Sequence, residues 1–457
     1  MGAACKLKNV FFVLIVLTCG SLAQSQMTAA NNAGGSPNVL TCSPAPCVLP
    51  IVQVSNLTYG AIPARLVANP NNSSEMVLGT DDGNCGGSGE GFYSTRDGGS
   101  TWLGHSCISP RDYPFGLDIA YDLNNRVFAG AGDGDAILTL RYSDNNGVLW
   151  SRARVLGGSG LGGPGSPRLA IDASPSSPFK NSIYMSSIHD CCGEGGGATR
   201  VFVLHSSDGG QHWKSVPLDQ WQLPSVDAFQ RLSVGEDGIV YVTWMRCSRP
   251  QLGPCVKDGV PIYLSKSADG GMTWTPPSLV ATTSLAPGNC LFGCIPNVGV
   301  TPIDNEPVIT VVGSGGTARV YVVFYNWSGT QMQVEVVTST DGGKTFGTPV
   351  RVSNSDVGDQ FVPSISAAPD GTVAVSWLDR RNDPANLKYQ PFLATSKDGQ
   401  AFGTNFLLTS YQTDPTPFLG GGIPGPPPAL WKGSAAYSTW TDDSFGDFRA
   451  KLGGVQF

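Results

Sequence analysis

Ser206-Ser-Asp-Gly-Gly-Gln-His-Trp213 is one copy of a short motif that returns along most of this 457-residue chain. Further copies begin at Thr95, Ser143, Ser267, Ser339 and Ser396, those at Ser143 and Ser396 being weaker. The aspartate at the third position can accept hydrogen bonds from backbone N–H groups of a tight turn. A following glycine can adopt a positive φ, and the final aromatic ring can be buried beside the turn. We therefore predict that each copy, here called a hairpin motif, forms the tip of a β-hairpin.

The spacing of the hairpin motifs indicates a repeat architecture. Their third positions are separated by 48 to 72 residues. Repeats of about 50 residues that each hold several short strands are typical of propellers, solenoids or arrays. In the sixth repeat, residues 361–368, 372–377 and 391–396 read as strands that precede the motif, and residues 349–354 read as a strand that follows the fifth motif. Four antiparallel strands per repeat predict a propeller blade.

The two ends of the repeat region complement each other. Residues 50–56 are similar to the strand at 349–354, although no hairpin motif precedes them. Residues 435–440 and 447–452 resemble second and third strands with no fourth strand after them. An N-terminal strand can therefore complete the last blade, which removes free sheet edges. Six motifs and this shared blade predict an all-β, seven-bladed β-propeller, with a six-bladed ring as the alternative.

The N-terminal region predicts export from the cell. Two lysines precede an apolar run at residues 10–19, so we interpret residues 1–23 as a cleaved signal peptide. A lipoprotein anchor at Cys19 is the less favoured alternative, because Leu and Thr before that cysteine fit the attachment motif poorly. We expect a flexible leader at 24–46 and one propeller domain at 47–457. No later stretch approaches 20 apolar residues, so no membrane span is expected.

The composition narrows the class of protein. Charged residues make up only 14% of the chain, and the 59 glycines and 34 prolines suit a β-rich extracellular domain. The net charge of −7 argues against nucleic acid as a partner. Ten of the 12 cysteines lie after the signal peptide, an even number that suits disulfides in an oxidising compartment.

Cysteine spacing predicts four local disulfides. The predicted pairs are Cys42–Cys47, Cys85–Cys107, Cys247–Cys255 and Cys290–Cys294. The adjacent Cys191 and Cys192 can form a vicinal bridge, or each can pair elsewhere and change the other pairs.

Charge is concentrated on one predicted rim of the disc. The hairpin motifs join third and fourth strands and define the motif rim, so the loops between second and third strands lie on the opposite rim. Those loops hold Asp81, Asp82, Glu90, Asp133, Asp135, His189, Asp190, Glu194, Arg246, Arg249, Asp379, Arg380, Arg381, Asp383, Asp442 and Asp443. Blade openings add Asp112, Asp227, Asp304, Glu306 and Asp359. Such a ring could bind a sugar, act as an acid/base pair or hold Ca²⁺; alternatively, its aspartates only cap turns.

The hairpin motifs resemble the Asp-box, or BNR, repeats of the sialidase superfamily, and the resemblance covers residues 50–457. Residues 66–70 and 375–384 are similar to secreted bacterial sialidase-like propellers. The resemblance implies an Asp-box β-propeller, although similar boxes occur in proteins with other functions. Sialidases carry a first arginine in a Tyr/Phe-Arg-Ile-Pro motif, where this chain has Ala61. We expect Arg65, two residues beyond that motif, to face a different way, so exo-sialidase activity is not expected.

Two functional hypotheses follow for the opposite rim. The first is a glycoside hydrolase or polysaccharide lyase, and the second is a non-catalytic propeller that binds a glycan or an extracellular protein. The candidate catalytic residues are Asp379, Arg380, Arg246 and Asp82, and the candidate substrate-binding residues are Arg381, Asp133, His189 and Trp221. We expect a secreted monomer whose partner is a carbohydrate or extracellular glycoconjugate. No cofactor is expected apart from Ca²⁺ at the carboxylate-rich channel mouth, and no metal ligands are assigned.

Overall fold

The computed structural model describes residues 40–55, 57, 60–86, 89–108, 115–133, 137–157, 167–190, 198–220, 222, 224–249, 253–299, 301–416 and 428–457. Its strands form seven separate antiparallel sheets, each one blade of a ring around a central channel. The prediction of a seven-bladed β-propeller is confirmed.

The first three blades are four-stranded. Two short strands, β1 (Cys47–Val48) and β2 (Val52–Gln53), precede them. Blade 1 contains β3 (Ala61–Asn69), β4 (Asn72–Asp82), β5 (Gly89–Thr95) and β6 (Leu103–Ile108). Blade 2 contains β7 (Phe115–Tyr121), β8 (Val127–Asp133), β9 (Ile137–Ser143) and β10 (Arg154–Gly157). Blade 3 contains β11 (Arg168–Ile171), β12 (Ile183–Asp190), β13 (Thr199–Ser206) and β14 (Lys214–Pro217).

The remaining blades repeat this order. Blade 4 contains β15 (Ser225–Val234), β16 (Val240–Ser248), β17 (Val260–Ser267) and β18 (Ser278–Thr283). Blade 5 contains β19 (Val308–Val312), β20 (Arg319–Trp327), β21 (Met332–Ser339) and β22 (Val350–Arg351). Blade 6 contains β23 (Gln360–Ala367), β24 (Val373–Asp379), β25 (Gln390–Ser396) and β26 (Phe406–Leu407). Blade 7 contains β27 (Ala429–Lys432), β28 (Ala435–Asp442) and β29 (Arg449–Gln456). Two short 3₁₀ helices lie at Gly83–Cys85 and Gly315–Thr317.

The N-terminal strands complete blade 7, as the sequence predicts. Strands β1 and β2 both pair antiparallel with β29, with Cys47 opposite Gln456 and Val52 opposite Leu452. Strand β29 therefore has a partner on each side, and the ring is closed by pairing the two ends of the chain.

The hydrophobic core lies between adjacent blades. Trp377 on β24 is fully buried, stacks against Phe392 at a centroid distance of 5.9 Å, and packs with Tyr321 and Val336 of blade 5. Trp244 and Trp440 occupy the second strands of blades 4 and 7 and are likewise buried. Full burial of a large apolar side chain contributes roughly 1.5–3 kcal/mol, so contacts between neighbouring sheets hold the ring together.

Each hairpin motif is organised by its acidic or amide side chain. Asp269 Oδ1 accepts hydrogen bonds from Ser267 Oγ at 2.8 Å and from the backbone N–H groups of Met272 at 3.0 Å and Thr273 at 2.9 Å. Burial alone would raise the pKa of Asp269, but the Thr273 side-chain and backbone hydrogen bonds lower it to about 2. Asn145 makes equivalent bonds in the second blade, so the turn needs an acceptor oxygen and no charge.

All four local disulfides predicted from spacing are present: Cys42–Cys47, Cys85–Cys107, Cys247–Cys255 and Cys290–Cys294. Among the described residues, no helix is long and apolar enough to cross a membrane. Several predictions fall outside the described residues, namely the signal peptide at 1–23, most of the leader at 24–46, Cys191, Cys192, Asp112, Asp135, Glu194 and Trp221.

Candidate functional site

The first strands of the blades surround the central channel. A cavity of about 540 Å³ is lined by β3, β7, β11, β15, β19, β23 and β27. Within blade 1, β3 and β5 run parallel because both are antiparallel to β4. Strand β5 leads into a hairpin motif, so β3 ends at the motif rim and begins at the opposite rim. The same argument holds for the other blades, so residues early in each inner strand lie near the opposite rim.

The opposite mouth of the channel contains a smaller, charged cavity of about 260 Å³. Its polar lining residues are Asp81, Glu90, Arg168, Arg231, Asp304 and Glu306, and its apolar wall includes Ile62, Pro63 and Leu117. These residues come from blades 1 to 4 and from the connection that precedes blade 5. We call this set the mouth cavity.

Two arginines in the mouth cavity share one carboxylate. Glu306 Oε1 lies 2.5 Å from Arg168 Nη2, and its other oxygen contacts Arg231 Nη2. All three side chains are largely buried. Burial lowers the pKa of both arginines, although the carboxylates of Asp118 and Asp304 favour their charged forms. Among the described residues, neither arginine's Nε has a hydrogen-bond partner. The pair therefore retains donors that an anion could satisfy.

β-Bulges place charged side chains at the channel. The pairing register of β15 shifts between Ala228 and Arg231, and Phe229 within this bulge has a φ of 59°. A positive φ is rare for a bulky residue, and such strain is often found at functional sites. A similar shift in β7 lies just before Asp118. Bulges re-aim side chains, which explains how charges on inner strands meet across the ring.

Arg65 lies beside the central channel. A bulge between Pro63 and Arg65 in β3 breaks the simple alternation of side chains. Arg65 lines the channel, and its Nε lies 3.4 Å from Asp118 Oδ1. Asp118 Oδ2 also accepts a hydrogen bond from the Leu169 backbone N–H at 2.9 Å. Arg65 is therefore held beside the mouth cavity by the neighbouring blades.

A pair of carboxyl groups forms another wall of the mouth cavity. Asp81 on β4 is directly opposite Glu90 on β5 in the strand register. Glu90 is only 3% exposed, and neither carboxyl oxygen has a hydrogen-bond partner among the described residues. Burial and the charge of Asp81 raise the pKa of Glu90 to about 8, against a smaller opposing effect of Arg141. Burial and Asp82 raise the pKa of Asp81.

Arg380, predicted to be catalytic, lies in the protein interior. Its side chain is fully buried, and Nη1 donates a hydrogen bond to the Pro296 carbonyl at 2.8 Å. The guanidinium also lies over the Phe361 ring and 3.6 Å from Asp359. Burial lowers its pKa to about 10, although Asp359 favours the charged form. This placement leaves no open face for a ligand, so the geometry supports a structural role.

Asp379 and Arg381 organise the loop after β24. Asp379 Oδ2 accepts hydrogen bonds from Trp377 Nε1 and Arg381 Nη2, each at 2.7 Å. Arg381 lies over the Phe392 ring at 4.3 Å and also donates to Ser353 Oγ at 2.7 Å. The structure brings these two predicted residues together, but within blade 6 and not in the mouth cavity.

Arg246 is paired with carboxylates from blade 4 and from the connection that precedes it. Its Nε lies 2.5 Å from Asp227 Oδ1, its Nη2 lies 2.8 Å from Asp219 Oδ2, and its guanidinium covers the Tyr263 ring at 5.0 Å. Despite burial, the Asp227 hydrogen bonds and charge raise its pKa above the usual range. Two carboxylates thus satisfy the arginine without a ligand.

Asp82 and His189 also make local contacts. Buried Asp82 accepts hydrogen bonds from Tyr93 Oη at 2.8 Å and from the Asn84 backbone N–H at 2.8 Å, and lies 3.1 Å from His105 Nε2. His189 meets Phe202 edge-on at 6.3 Å. The side chain of Asp133 and all of Trp221 are outside the described residues. The other six predicted site residues do not line the mouth cavity, and their proposed roles remain predictions.

The sequence predicted only some of the residues in the mouth cavity. Asp81, Glu90, Asp304 and Glu306 were predicted to lie at the charged mouth. Arg168 and Arg231 were not predicted as site residues. The available signal was a single arginine inside each of two largely apolar inner strands. The predicted Ca²⁺ site remains untested.

No protein-family model matches this sequence, and no curated protein matches it. The chain is similar to solved polysaccharide lyases. An ulvan lyase that represents a new family of these enzymes is 9% identical, with a TM-score of 0.55 over 88% of this chain and 95% of that chain. A second polysaccharide lyase is 9% identical, with a TM-score of 0.53 over 88% and 91% of the respective chains.

An intramolecular trans-sialidase from Ruminococcus gnavus is 11% identical, with a TM-score of 0.47 over 72% of this chain and 91% of that chain. The ulvan lyase has also been solved bound to a glucuronate-containing saccharide. At these identities, the similarity to the lyases shows a shared fold alone.

Proposed function

We propose that this protein binds an acidic saccharide in the mouth cavity. The observation that carries the proposal is the arrangement of Arg168 and Arg231, two buried arginines that share Glu306 and keep Nε donors without partners among the described residues. A uronate or other sugar carboxylate could satisfy those donors, because guanidinium groups match the planar geometry of carboxylates. The adjoining apolar wall suits the non-polar face of a sugar ring.

An acidic saccharide is consistent with the ligands of proteins that share this fold. The two solved structures with TM-scores above 0.5 described above are polysaccharide lyases. One of them is known with a glucuronate-containing saccharide. We extend the ligand class, but not the lyase reaction, to this chain.

We further propose that the protein is secreted and acts on an extracellular glycoconjugate. Four disulfides lie within the described residues, and disulfides are typical of oxidising compartments outside the cytosol. The resemblance to secreted sialidase-like propellers supports the same location. A monomer with a single mouth cavity is the simplest form consistent with the closed ring.

Calorimetric titration with size-matched oligosaccharides tests the proposal. The panel contains a glucuronate oligosaccharide, a sialylated oligosaccharide and a neutral oligosaccharide. We expect binding of at least one acidic ligand and none of the neutral one, with Arg168→Gln weakening affinity about tenfold or more. Equal binding of the neutral ligand, or an unchanged affinity of Arg168→Gln, would contradict the proposal.

Arg126→Gln is the matched control. Arg126 is a more exposed arginine that pairs with Asp144 at 2.6 Å, away from the mouth cavity. We expect this variant to bind like the wild type, and the melting temperatures of both variants report whether they fold. Reducing-sugar release and the ultraviolet absorbance of unsaturated products, measured on the same ligands, distinguish a hydrolase, a lyase and a non-catalytic binding protein.

A further inference from the structure

Glu90 is an unusual group within the mouth cavity. It lines the cavity and is only 3% exposed. Neither of its carboxyl oxygens has a hydrogen-bond partner among the described residues. A buried ionised carboxylate without partners is strongly disfavoured, because it loses its hydration and gains nothing in return. Arginines elsewhere in this cavity already interact with other carboxylates.

We infer that Glu90 is a neutral carboxylic acid that donates a hydrogen bond to an oxygen of the saccharide bound in the mouth cavity. The inference rests on the proposed function and adds a recognition residue to it. A protonated carboxyl group has one O–H donor, whereas a carboxylate can only accept. Sugar hydroxyl, ring and glycosidic oxygens can all accept such a bond.

The charged surroundings of Glu90 are compatible with the neutral form. Asp81 faces it across the strand pair, where a second negative charge is unfavourable. The titratable and charged groups that line the cavity with Glu90 or act on its carboxyl group are Asp81 on β4, Arg141 on β9, Arg168 on β11, Arg231 on β15, and Asp304 and Glu306 before β19. Of these groups, Asp81 opposes ionisation and Arg141 favours it, while burial dominates both.

A pH dependence of binding follows. The pKa of Glu90 is raised to about 8, so the donor is present at neutral pH and is lost as the pH rises through that value. If the saccharide accepts from the neutral acid, affinity should fall about tenfold between about pH 7 and about pH 9. A carboxylate on the ligand would add repulsion once Glu90 ionises, which acts in the same direction.

The experiment measures affinity for the glucuronate oligosaccharide at about pH 7 and about pH 9 for the wild type, Glu90→Gln and Glu90→Ala. The amide of Gln can donate but does not titrate, so Glu90→Gln should bind within about threefold of the wild type at pH 7 and lose the pH dependence. Glu90→Ala removes the donor and should weaken binding about tenfold at pH 7.

Glu335→Gln is the control for a buried glutamate outside the cavity. Burial also raises the pKa of Glu335, but this residue accepts a hydrogen bond from Asn326 Nδ2 at 3.1 Å in blade 5. We expect wild-type affinity and wild-type pH dependence. Melting temperatures show that each variant is folded at both pH values.

The outcomes separate the two proposals. Binding that Arg168→Gln weakens, but that neither pH nor Glu90→Ala changes, overturns the role of Glu90 and leaves the proposed function standing. Failure of the wild type to bind any acidic saccharide overturns both. Loss of affinity in Glu90→Ala, together with pH-independent binding by Glu90→Gln, supports the inference.

Discussion

Two carboxyl groups on opposite rims of the propeller, those of Asp269 and Glu90, are in opposite chemical states. On the motif rim, Asp269 accepts hydrogen bonds from its own turn, and these bonds lower its pKa to about 2. At the opposite mouth, Glu90 has no hydrogen-bond partner among the described residues, and burial raises its pKa to about 8. These two acidic residues therefore serve different purposes.

This difference distinguishes residues that stabilise the fold from residues that could bind a ligand. The hairpin motifs recur around the ring, and their polar groups are satisfied within a few residues of sequence. The mouth cavity joins side chains from several blades, and some of its donors and acceptors have no partner among the described residues. Repetition with local hydrogen bonding indicates structure, whereas a cavity lined by charged groups without partners indicates a candidate site for a ligand.

The largest loss of stability is expected from Arg380→Ala. This variant tests whether a charged residue near the opposite rim stabilises the fold without binding a ligand. The substitution leaves buried Asp359 without its arginine partner and removes the contact with the Pro296 carbonyl. Loss of one member of a buried pair costs about 3–5 kcal/mol, and denaturant unfolding should show this loss. Arg126→Ala, at a half-buried arginine that pairs with exposed Asp144, should change stability by no more than about 1 kcal/mol. A similarly small effect of Arg380→Ala would contradict the buried placement.

A smaller change in stability, and a gain instead of a loss, is expected from Glu90→Gln at high pH. Glu90 binds its proton more tightly in the folded chain than in the unfolded chain, where its pKa is near 4.5. The wild type therefore loses stability as the pH rises from about 4.5 to about 8, because folding opposes ionisation. Glu90→Gln should be more stable than the wild type by roughly 1–3 kcal/mol above pH 8, and about equal to it near pH 4. A constant difference across melting curves at these pH values would show that Glu90 does not titrate as proposed.

The smallest effect is expected from Asp269→Ala on the motif rim. By analogy with helix caps, loss of this acceptor should cost roughly 0.5–2 kcal/mol at neutral pH without changing saccharide affinity. Because the folded-state pKa of Asp269 is depressed, its stabilisation is present above about pH 4 and is lost as the pH falls through about 2. The difference between variant and wild type should therefore shrink in acid.

Asp356→Ala, at an exposed aspartate paired with Arg351, is the matched control for Asp269→Ala and should have little effect on stability. A change in saccharide affinity caused by Asp269→Ala would connect the motif rim to binding and would remove the distinction between the two rims.

The fold was predictable because the interactions that define each hairpin motif are between residues close in sequence. Each hairpin motif places a serine or threonine, an acceptor side chain and a glycine within a few residues, and these groups bond to one another. Even the closure of blade 7 was visible, because residues 50–56 had a strand pattern without a blade of their own. Local hydrogen bonding and side-chain periodicity are the information that a single sequence carries best.

The site was only partly predictable because its contacts are distant in sequence. Arg168 and Glu306 are 138 positions apart, and the bulge at Phe229 that precedes Arg231 breaks the strand alternation. The burial of Arg380 was not predictable for a related reason, since the connection between blades 4 and 5 supplies the Pro296 carbonyl that covers it. Bulges and covering loops depend on tertiary packing, which the sequence pattern does not show.

The most direct test of the central claim is a crystal structure of the wild type soaked with the glucuronate oligosaccharide that calorimetry identifies as a ligand. We expect electron density in the mouth cavity, with the sugar carboxylate in contact with Arg168 and Arg231 and a sugar oxygen within hydrogen-bond distance of Glu90. Density for the saccharide on the motif rim, or beside Arg246 in blade 4 with the mouth cavity unfilled, would contradict it.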